Sequence, residues 1–573
     1  FFRFYELKIT PPGLYPDEAM NGNNAIEALE TGNFRWFYPE NNGREGLFIN
    51  IQALSVALFG NEPWALRLVS ALFGTLAILG VYLVTKELFH YEPPQTQNSK
   101  LKAQSYNSKF KNFKFLDAVL RFALSVLSFQ PKLPAEIPRQ IIALLAAFFL
   151  ATSFWHINFS RVGFRAIMIP AVTSLALYFL LKGLRHGSHL DMVWAGIITG
   201  LGFHTYLAIR FFPFVLAVPV FGYLWGWWRN KQMANGKWQM DGKGCIPCLV
   251  LLFTLITVVV VSPLIIYFVQ NPQDFVGRTG QIAIFSASNP LLEFLKSNLG
   301  TLGMFFYQGD CNWRHNYNCA PALSLPLAIL FAIGFFSTIF KTIRNHAGDR
   351  IAYATILGWF LFMTLPATLT REGIPHALRS IGLIPPVMIM TALGAWQIGA
   401  LALAWFEIQK NKWPEKLNQL NRIEREFILL FTLLLLLIPL FTFRTYFIRW
   451  SQHPETYFGF STDLMHAGQF LNNQPSEIKK YVIVNRPGVM VRGFPMPAQT
   501  IMFISNTFLE KNQTEKNIRY ILPTEISRII IEEKEHALII PLEGKDITLI
   551  RELQKKFPKL RVHAPSDFIV LEQ

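Results

Sequence analysis

Apolar residues run in blocks long enough to cross a bilayer, about 20 residues each. They lie at 64–88, 140–158, 163–183, 190–205, 208–228, 246–269, 322–343, 351–369, 378–405 and 426–447. These blocks predict ten membrane-spanning helices, the fourth short and with indistinct edges. Segment 46–60, GLFINIQALSVALFG, is too short to span and is followed by Asn-Glu-Pro. It predicts a helix lying along the membrane surface. From about residue 448 the pattern changes. YVIVN at 481–485, TIMFIS at 500–505, IRYIL at 518–522, ALIIPL at 537–542 and FIVLE at 568–572 have strand length and content. ITLIRELQKKF at 547–557 has helical, amphipathic spacing. The expected fold is mainly α: a multi-span bundle over 1–450 and a small soluble α/β domain over 451–573, its strand order not readable.

Charge orients these elements. Lys and Arg crowd the loops at 89–139, 182–185, 229–243, 341–350 and 410–425, every second loop of the series. The positive-inside rule makes those loops cytoplasmic. The N-terminal stretch, the loops near 159, 206, 271–321 and 370–377, and everything after 447 are then expected outside. Ten spans return the C-terminus to the side of residue 1. The chain opens on Phe1, and FFRFYELKITPP reads as the end of something, which predicts a further helix upstream; no signal peptide is visible. Within the first basic loop, FLDAVLRFALSVLSF at 115–129 reads equally as an amphipathic surface helix or as part of a disordered insert.

Composition agrees. Hydrophobic residues make up 51% of 573 and charged residues only 16%, against about 25% charged in soluble domains. Mean hydropathy is +0.29. The net charge of +16 is packed into alternate loops, a topology signal, and no basic-aromatic groove argues for nucleic acid. No nucleotide-binding, zinc-protease or hydrolase-elbow motif carries weight, and no internal repeat of a transporter type is evident.

The unusual polar clusters fall on the expected outer side. The first is Asp17-Glu18 in YPDEAMNGNNA, with Asn21, Asn23 and Asn24 nearby. A carboxylate there is suited to take a proton from an incoming hydroxyl, or simply to cap a helix after Pro16. The second, FWHINFSRVGFR, holds His156, Ser160, Arg161 and Arg165, the two arginines at helical i, i+4 spacing. The third, GFHTYLAIRFFP, holds His204, Tyr206 and Arg210; the fourth, YQGDCNWRHNYNCAP, holds Asp310, Arg314 and His315; the fifth holds Arg371, Glu372, His376 and Arg379. Arginines at a membrane boundary bind phosphate bidentately or snorkel to headgroups. Five clusters on one side point to a polyanion-binding pocket. Cys311 and Cys319 lie outside, where a disulfide is one of two open readings. Cys245 and Cys248, CIPC at a cytoplasmic helix edge, have no partner cysteines for a metal or redox role. Asn512-Gln-Thr is an outer-side glycosylation sequon.

With these motifs the chain resembles the GT-C fold glycosyltransferases that use polyprenyl-phosphate sugars, most nearly the protein O-mannosyltransferase and aminoarabinose transferase superfamily (glycosyltransferase family 39-like). The resemblance rests on YPDEA and on LFG-x6-R, here LFGNEPWALR at 58–67, and extends in architecture over about 1–450. It implies an acidic residue, matching Asp17 with Glu18 as its alternate, that deprotonates the acceptor. Inverting attack on the anomeric carbon follows as the lipid phosphate departs. Arg161, Arg210, Arg314 and Arg379 are then the candidates for the donor phosphate, by side and charge rather than by motif. His156, His204, Tyr206, Asp310, His315 and His376 are candidate substrate contacts. No metal or other cofactor is obligatory, since arginines suffice for one phosphate; a divalent ion is compatible but not implied. The expected partners are a polyprenyl-phosphate-sugar donor, a lipid, protein or glycan acceptor, and the membrane, with no nucleic acid. The expected location is the plasma membrane with the active site outside. The Trp-Trp-Asp signature of oligosaccharyltransferases is broken here, since Arg229 follows Trp227-Trp228 at a cytoplasmic helix end. The alternative, a transporter, lipid-linked glycan flippase or ligase, predicts ionisable residues within the spans for the first two, and here the polar groups sit at helix ends.

Overall fold

Each of the ten apolar blocks carries a helix in the computed structural model, which describes residues 1–90, 136–233, 245–275, 277, 284–344, 347–370, 373–532 and 535–573. Segment 115–129, Arg371 and Glu372 lie outside these residues. The chain starts with α1 (Pro16–Thr31), a two-stranded hairpin β1 (Phe37–Tyr38) and β2 (Arg44–Glu45), the predicted short α2 (Gly46–Phe59), and α3 (Pro63–Leu88). There follow α4 (Glu136–Thr152), α5 (Phe154–Phe159), α6 (Met168–His186), α7 (His189–Phe203), α8 (Phe212–Met233), α9 (Ile246–Gln270) and α10 (Pro290–Gly303). The bundle closes with α11 (Leu325–Arg344), α12 (Ala347–Thr368), α13 (Ile384–Lys412) and α14 (Leu417–Phe443), the last running into a π-helical stretch, Arg444–Trp450.

Eight of the described helices are long and apolar enough to cross a membrane, so this is a multi-pass membrane protein. Two predicted spans are shorter than expected. Block 140–158 is divided because the Ser153 hydroxyl accepts from the His156 N–H and starts a new helix, α5, leaving α4 with 17 residues. Block 190–205 yields the 15-residue α7, about 23 Å at 1.5 Å per residue.

The helices pack closely where side chains are small. α3 lies on α6, α7 on α9, and α11 on α13. At the last crossing Gly334 faces Gly394: a Cβ on either would meet a backbone carbonyl oxygen at 1.7 or 1.9 Å. Lipid tails are as apolar as leucine, so such tight backbone approach is how helices associate in a bilayer.

The C-terminal region holds α15 (Pro454–Gly459), α16 (Thr462–Asn472), β3 (Lys479–Ile483), β4 (Met490–Val491), β5 (Phe494–Pro495), α17 (Ala498–Ile504), α18 (Glu510–Glu515) and β6 (Ile518–Ile521). It ends with β7 (Ala537–Pro541), α19 (Ile547–Lys556), β8 (Arg561–His563) and β9 (Val570–Glu572). The sheet order is β6-β3-β7-β9-β8; β3 is parallel to both neighbours, with Tyr481 level with Arg519 and Ile539, and β9 runs antiparallel to β7 and β8. Four expected strands are present. The fifth is corrected: TIMFIS is α17, not a strand. Ile501, Met502, Phe503 and Ile504 are all buried, and a short run buried on every side carries no period to separate strand from helix. α17 packs against α1 and α16, and Thr500 Oγ1 donates to the Leu14 carbonyl at 3.0 Å. The C-terminal region is thereby docked on the N-terminal segment that precedes α2.

Candidate functional site

The expected polar clusters sort into locks and a cavity. α1 begins with Pro16 at its first turn, and Glu18 reaches back to accept from the Tyr15 N–H at 3.4 Å. Glu18 is fully buried. Its carboxylate takes two hydrogen bonds from Arg67, at 3.1 and 3.2 Å, and a third from the Gly163 N–H at 2.6 Å. Arg67 also donates to the carbonyls of Pro11 and Gly13, at 2.6 and 2.8 Å. This is the arginine that ends LFG-x6-R, so the two sequence motifs are one ion pair. Every oxygen of Glu18 is thus engaged by the fold.

Asp17 is only partly buried and accepts from the Asn41 side-chain amide at 2.7 Å. Asn41 belongs to the β1–β2 turn, where Asn41, Asn42 and Gly43 all have positive φ, at 52°, 63° and 81°. Asn and Gly adopt that region with least strain. Arg44, next in sequence, is buried and ties the turn to α1 by donating to Asn21 at 2.7 Å and to Asn24. Burial, and then the neighbouring Arg165, push the Arg44 guanidinium down to about 10. Asn23 donates instead to Gln499, at 3.0 and 3.1 Å.

The other face of that turn walls a cavity of about 290 Å³. Asn42, Gly43, Glu45, Arg165, Tyr206, Arg210, Asp274, Thr370 and Arg379 supply its polar lining; Phe211, Phe285, Leu365 and Leu369 supply an apolar side. Arg165 is held by Glu45 at 2.9 Å and lies over the Tyr206 ring at 5.4 Å. Arg210 stacks on Phe275 at 4.2 Å and donates to its carbonyl at 3.2 Å. Arg379 donates to the Thr370 hydroxyl at 2.8 Å. Three arginines therefore line one small space together with two carboxylates, Glu45 and Asp274, and guanidinium groups are suited to an oxyanion with several oxygens.

Of the four arginines expected at phosphate, Arg210 and Arg379 line this cavity. Arg161 does not: it is fully buried, donates to the carbonyls of Phe2 and Thr10 at 3.0 and 2.8 Å, and lies over Phe447 at 4.9 Å. Arg314 does not line it either; it lies over the Tyr15 ring at 3.9 Å and donates to Asn312 at 3.0 Å. Tyr206 lines the cavity. His156 is buried against Arg3 at 2.7 Å, and His204 is buried with its Nε2 2.9 Å from the Val260 carbonyl. Asp310, His315 and His376 form a separate cluster: His315 Nδ1 is 2.8 Å and His376 Nδ1 3.9 Å from Asp310 Oδ2. Sequence reasoning did not rank Arg165, Glu45, Asp274, Arg44 or Arg67 as site residues. For Arg44 and Glu45 a signal existed, the ENNGRE turn sequence.

Both cysteine pairs are disulfides: Cys311–Cys319 closes a loop that carries His315 and directly follows Asp310, and Cys245–Cys248, which the sequence reading did not expect, staples the first turn of α9.

A family model described as dolichyl-phosphate-mannose-protein mannosyltransferase matches residues 47–96, the stretch with α2, α3 and Arg67. The crystal structure of ArnT from Cupriavidus metallidurans bound to undecaprenyl phosphate has the same fold: TM-score 0.53, 14% identity, 100% of this chain and 96% of that one covered. The same protein in the apo state compares at TM-score 0.47 and 15% identity, covering 100% and 95%. No curated protein matches the sequence. The expected fold, a GT-C helical membrane fold with a small C-terminal α/β part, and the resemblance to GT-C glycosyltransferases are both borne out.

Proposed function

We propose that this chain is an integral membrane glycosyltransferase that moves a hexosyl or pentosyl unit from a polyprenyl-phosphate donor to an acceptor at the outer membrane face. One observation carries the reading: Arg165, Arg210 and Arg379 line, with Tyr206 and several apolar side chains, a cavity walled by the β1–β2 turn, and Asn41 of that turn donates to Asp17. A sugar phosphate with a prenyl tail has that same division of charge. The lipid phosphate found in the structure of ArnT from Cupriavidus metallidurans supports this ligand class.

In the proposed reaction the acceptor hydroxyl or amine takes the place of the Asn41 amide at Asp17, within hydrogen-bond reach of the carboxylate. Asp17 removes the acceptor proton as the acceptor atom attacks the anomeric carbon opposite the phosphate. The bond from that carbon to the phosphate oxygen breaks, its electron pair stays on the lipid phosphate, and the anomeric centre inverts. Guanidinium groups aimed at the departing oxygens stabilise the charge as it develops. Glu18, wholly engaged by Arg67 and Gly163, acts by setting the start of α1 and so the position of Asp17.

Membranes carrying the protein, supplied with a labelled polyprenyl-phosphate sugar and fractionated for glycosylated lipid, protein and polymer, test the reading. Transfer is expected, and Asp17→Asn is expected to lower it at least about 100-fold, the usual contribution of a general base. Full transfer by Asp17→Asn would remove the base from the proposal; absence of transfer from every donor would remove the function.

A further inference from the structure

We infer that Asp310, His315 and His376 form a zinc site joining two outer loops. His315 comes from the disulfide-closed loop after α10 and Asp310 directly precedes that loop, while His376 comes from the loop between α12 and α13. One ligand atom from each residue can be chosen so that all three lie within 4.8 Å of one another. Tetrahedral zinc with N and O ligands at about 2.0–2.2 Å needs ligand atoms roughly 3.3 Å apart. The 2.8 and 3.9 Å separations at Asp310 Oδ2 bracket that spacing.

The surroundings are built for a ligand set rather than for one stray hydrogen bond. Asp310 and His315 are each 5% exposed. The Asp310 carboxylate is aimed by the Asn312 N–H on one oxygen and the Ala377 N–H on the other, both at 2.8 Å, so the second loop orients the first loop's ligand. Asn316 braces the same loop by donating to the Asp310 and Ala320 carbonyls, at 2.9 and 2.7 Å. The His315 and His376 rings lie 5.1 Å apart at 37°. Fixing a ligand by backbone hydrogen bonds is the usual outer layer of a metal site. Two imidazoles and one carboxylate are a donor set that suits zinc over magnesium or calcium.

Three protein ligands leave one position for a water or another oxygen ligand. Asp310 and His315 also line a second cavity of about 820 Å³, mostly apolar, between the α11 entry and α14. Two of the three ligands thus border a space large enough to admit an exchangeable ligand. In the bound form His315 coordinates through Nδ1 with its proton on Nε2, replacing the hydrogen bond to Asp310. The inference does not rest on the proposed sugar transfer; the site lies among residues other than the arginine cavity's.

The test is zinc content of the full chain purified in detergent, stripped with chelator and re-equilibrated with zinc. About one equivalent is expected in the parent protein, with a rise in unfolding temperature on adding zinc. His376→Gln, at the most exposed of the three ligands, is expected to lose the bound equivalent and the rise while unfolding at the parent's metal-free temperature. Cobalt loading gives an independent readout, a visible d–d spectrum of four-coordinate type in the parent and not in His376→Gln or Asp310→Asn. Absence of zinc and of the cobalt spectrum in folded parent protein, or retention of the full equivalent in both variants, would overturn the site in favour of an Asp–His hydrogen bond alone.

Discussion

Arg67 grips Glu18 with two parallel hydrogen bonds, at 3.1 and 3.2 Å, in a place where neither side chain reaches solvent. The residues are 49 apart in sequence, one at the first turn of α1 and the other at the first turn of α3. Removing one partner of a buried ion pair leaves the other desolvated, at a cost of about 3–5 kcal/mol. Arg67→Ala and Glu18→Ala are therefore expected to lower the yield and unfolding temperature of the whole chain, measured by thermal scanning in detergent. Asp17→Asn is expected to leave both unchanged while transfer falls. Equal destabilisation by all three would contradict the division of labour within the acidic pair.

The four arginines first grouped together should separate by phenotype. In the proposed reaction Arg379 and Arg210 bond the donor phosphate, so Arg379→Ala and Arg210→Ala are expected to lower transfer about 10–100-fold, at roughly 1.5–3 kcal/mol per bond. Arg161→Ala unties two carbonyls of the N-terminal stretch and is expected to act on stability instead. Steady-state transfer at varied donor, paired with an unfolding scan for each variant, reads the distinction.

Helix crossing at Gly334 and Gly394 is expected to tolerate no larger residue. Each Cα faces a carbonyl oxygen of the other helix, so Gly334→Val or Gly394→Val must push two backbones apart. Loss of a monodisperse peak on size-exclusion chromatography in mild detergent is the expected result, with Gly399→Ala, beside open space, as the tolerant control.

Arg492 of the C-terminal region bonds Glu27 of α1 and Glu40 of the hairpin turn, at 2.8 and 2.9 Å. Burial raises the Glu40 carboxyl, but the hydrogen bond from Arg492 and its charge outweigh this and hold it below its ordinary value. A depressed acid stabilises the fold above its unfolded pKa and loses that contribution as pH falls through the folded value. Docking of the C-terminal region should therefore weaken below about pH 4, the ordinary carboxylate range. Limited proteolysis between residues 451 and 480, followed against pH, should quicken there, and Arg492→Ala should show the faster rate already at neutral pH.

Much of the architecture was legible because its signals are local. Block length and apolarity marked ten helices, and β-rich runs marked β3, β6, β7 and β9. The misread element, α17, is a run buried on every side, where no alternation survives. The split of α4 from α5 turned on one hydroxyl, Ser153, that the hydropathy pattern averages away. At the site, residue type and loop charge were enough to pick out Tyr206, Arg210 and Arg379, which line one cavity, while Asp17 contacts Asn41 of the turn that walls it. They did not distinguish these from Arg161 and His156, since a guanidinium that locks carbonyls and one that lines a cavity are the same residue in a string.

What the sequence by itself determined is the placement of the apolar helical blocks and the presence of basic groups in alternate loops. Those follow from transfer free energies and backbone periods, which act on neighbouring residues. Only the tertiary structure decided that Arg67 answers Glu18, that Arg165, Arg210 and Arg379 line one cavity, and that Asp310 lies near His376. Such pairings join groups tens to hundreds of residues apart, and their strength depends on burial and angle, which exist only once the helices have packed.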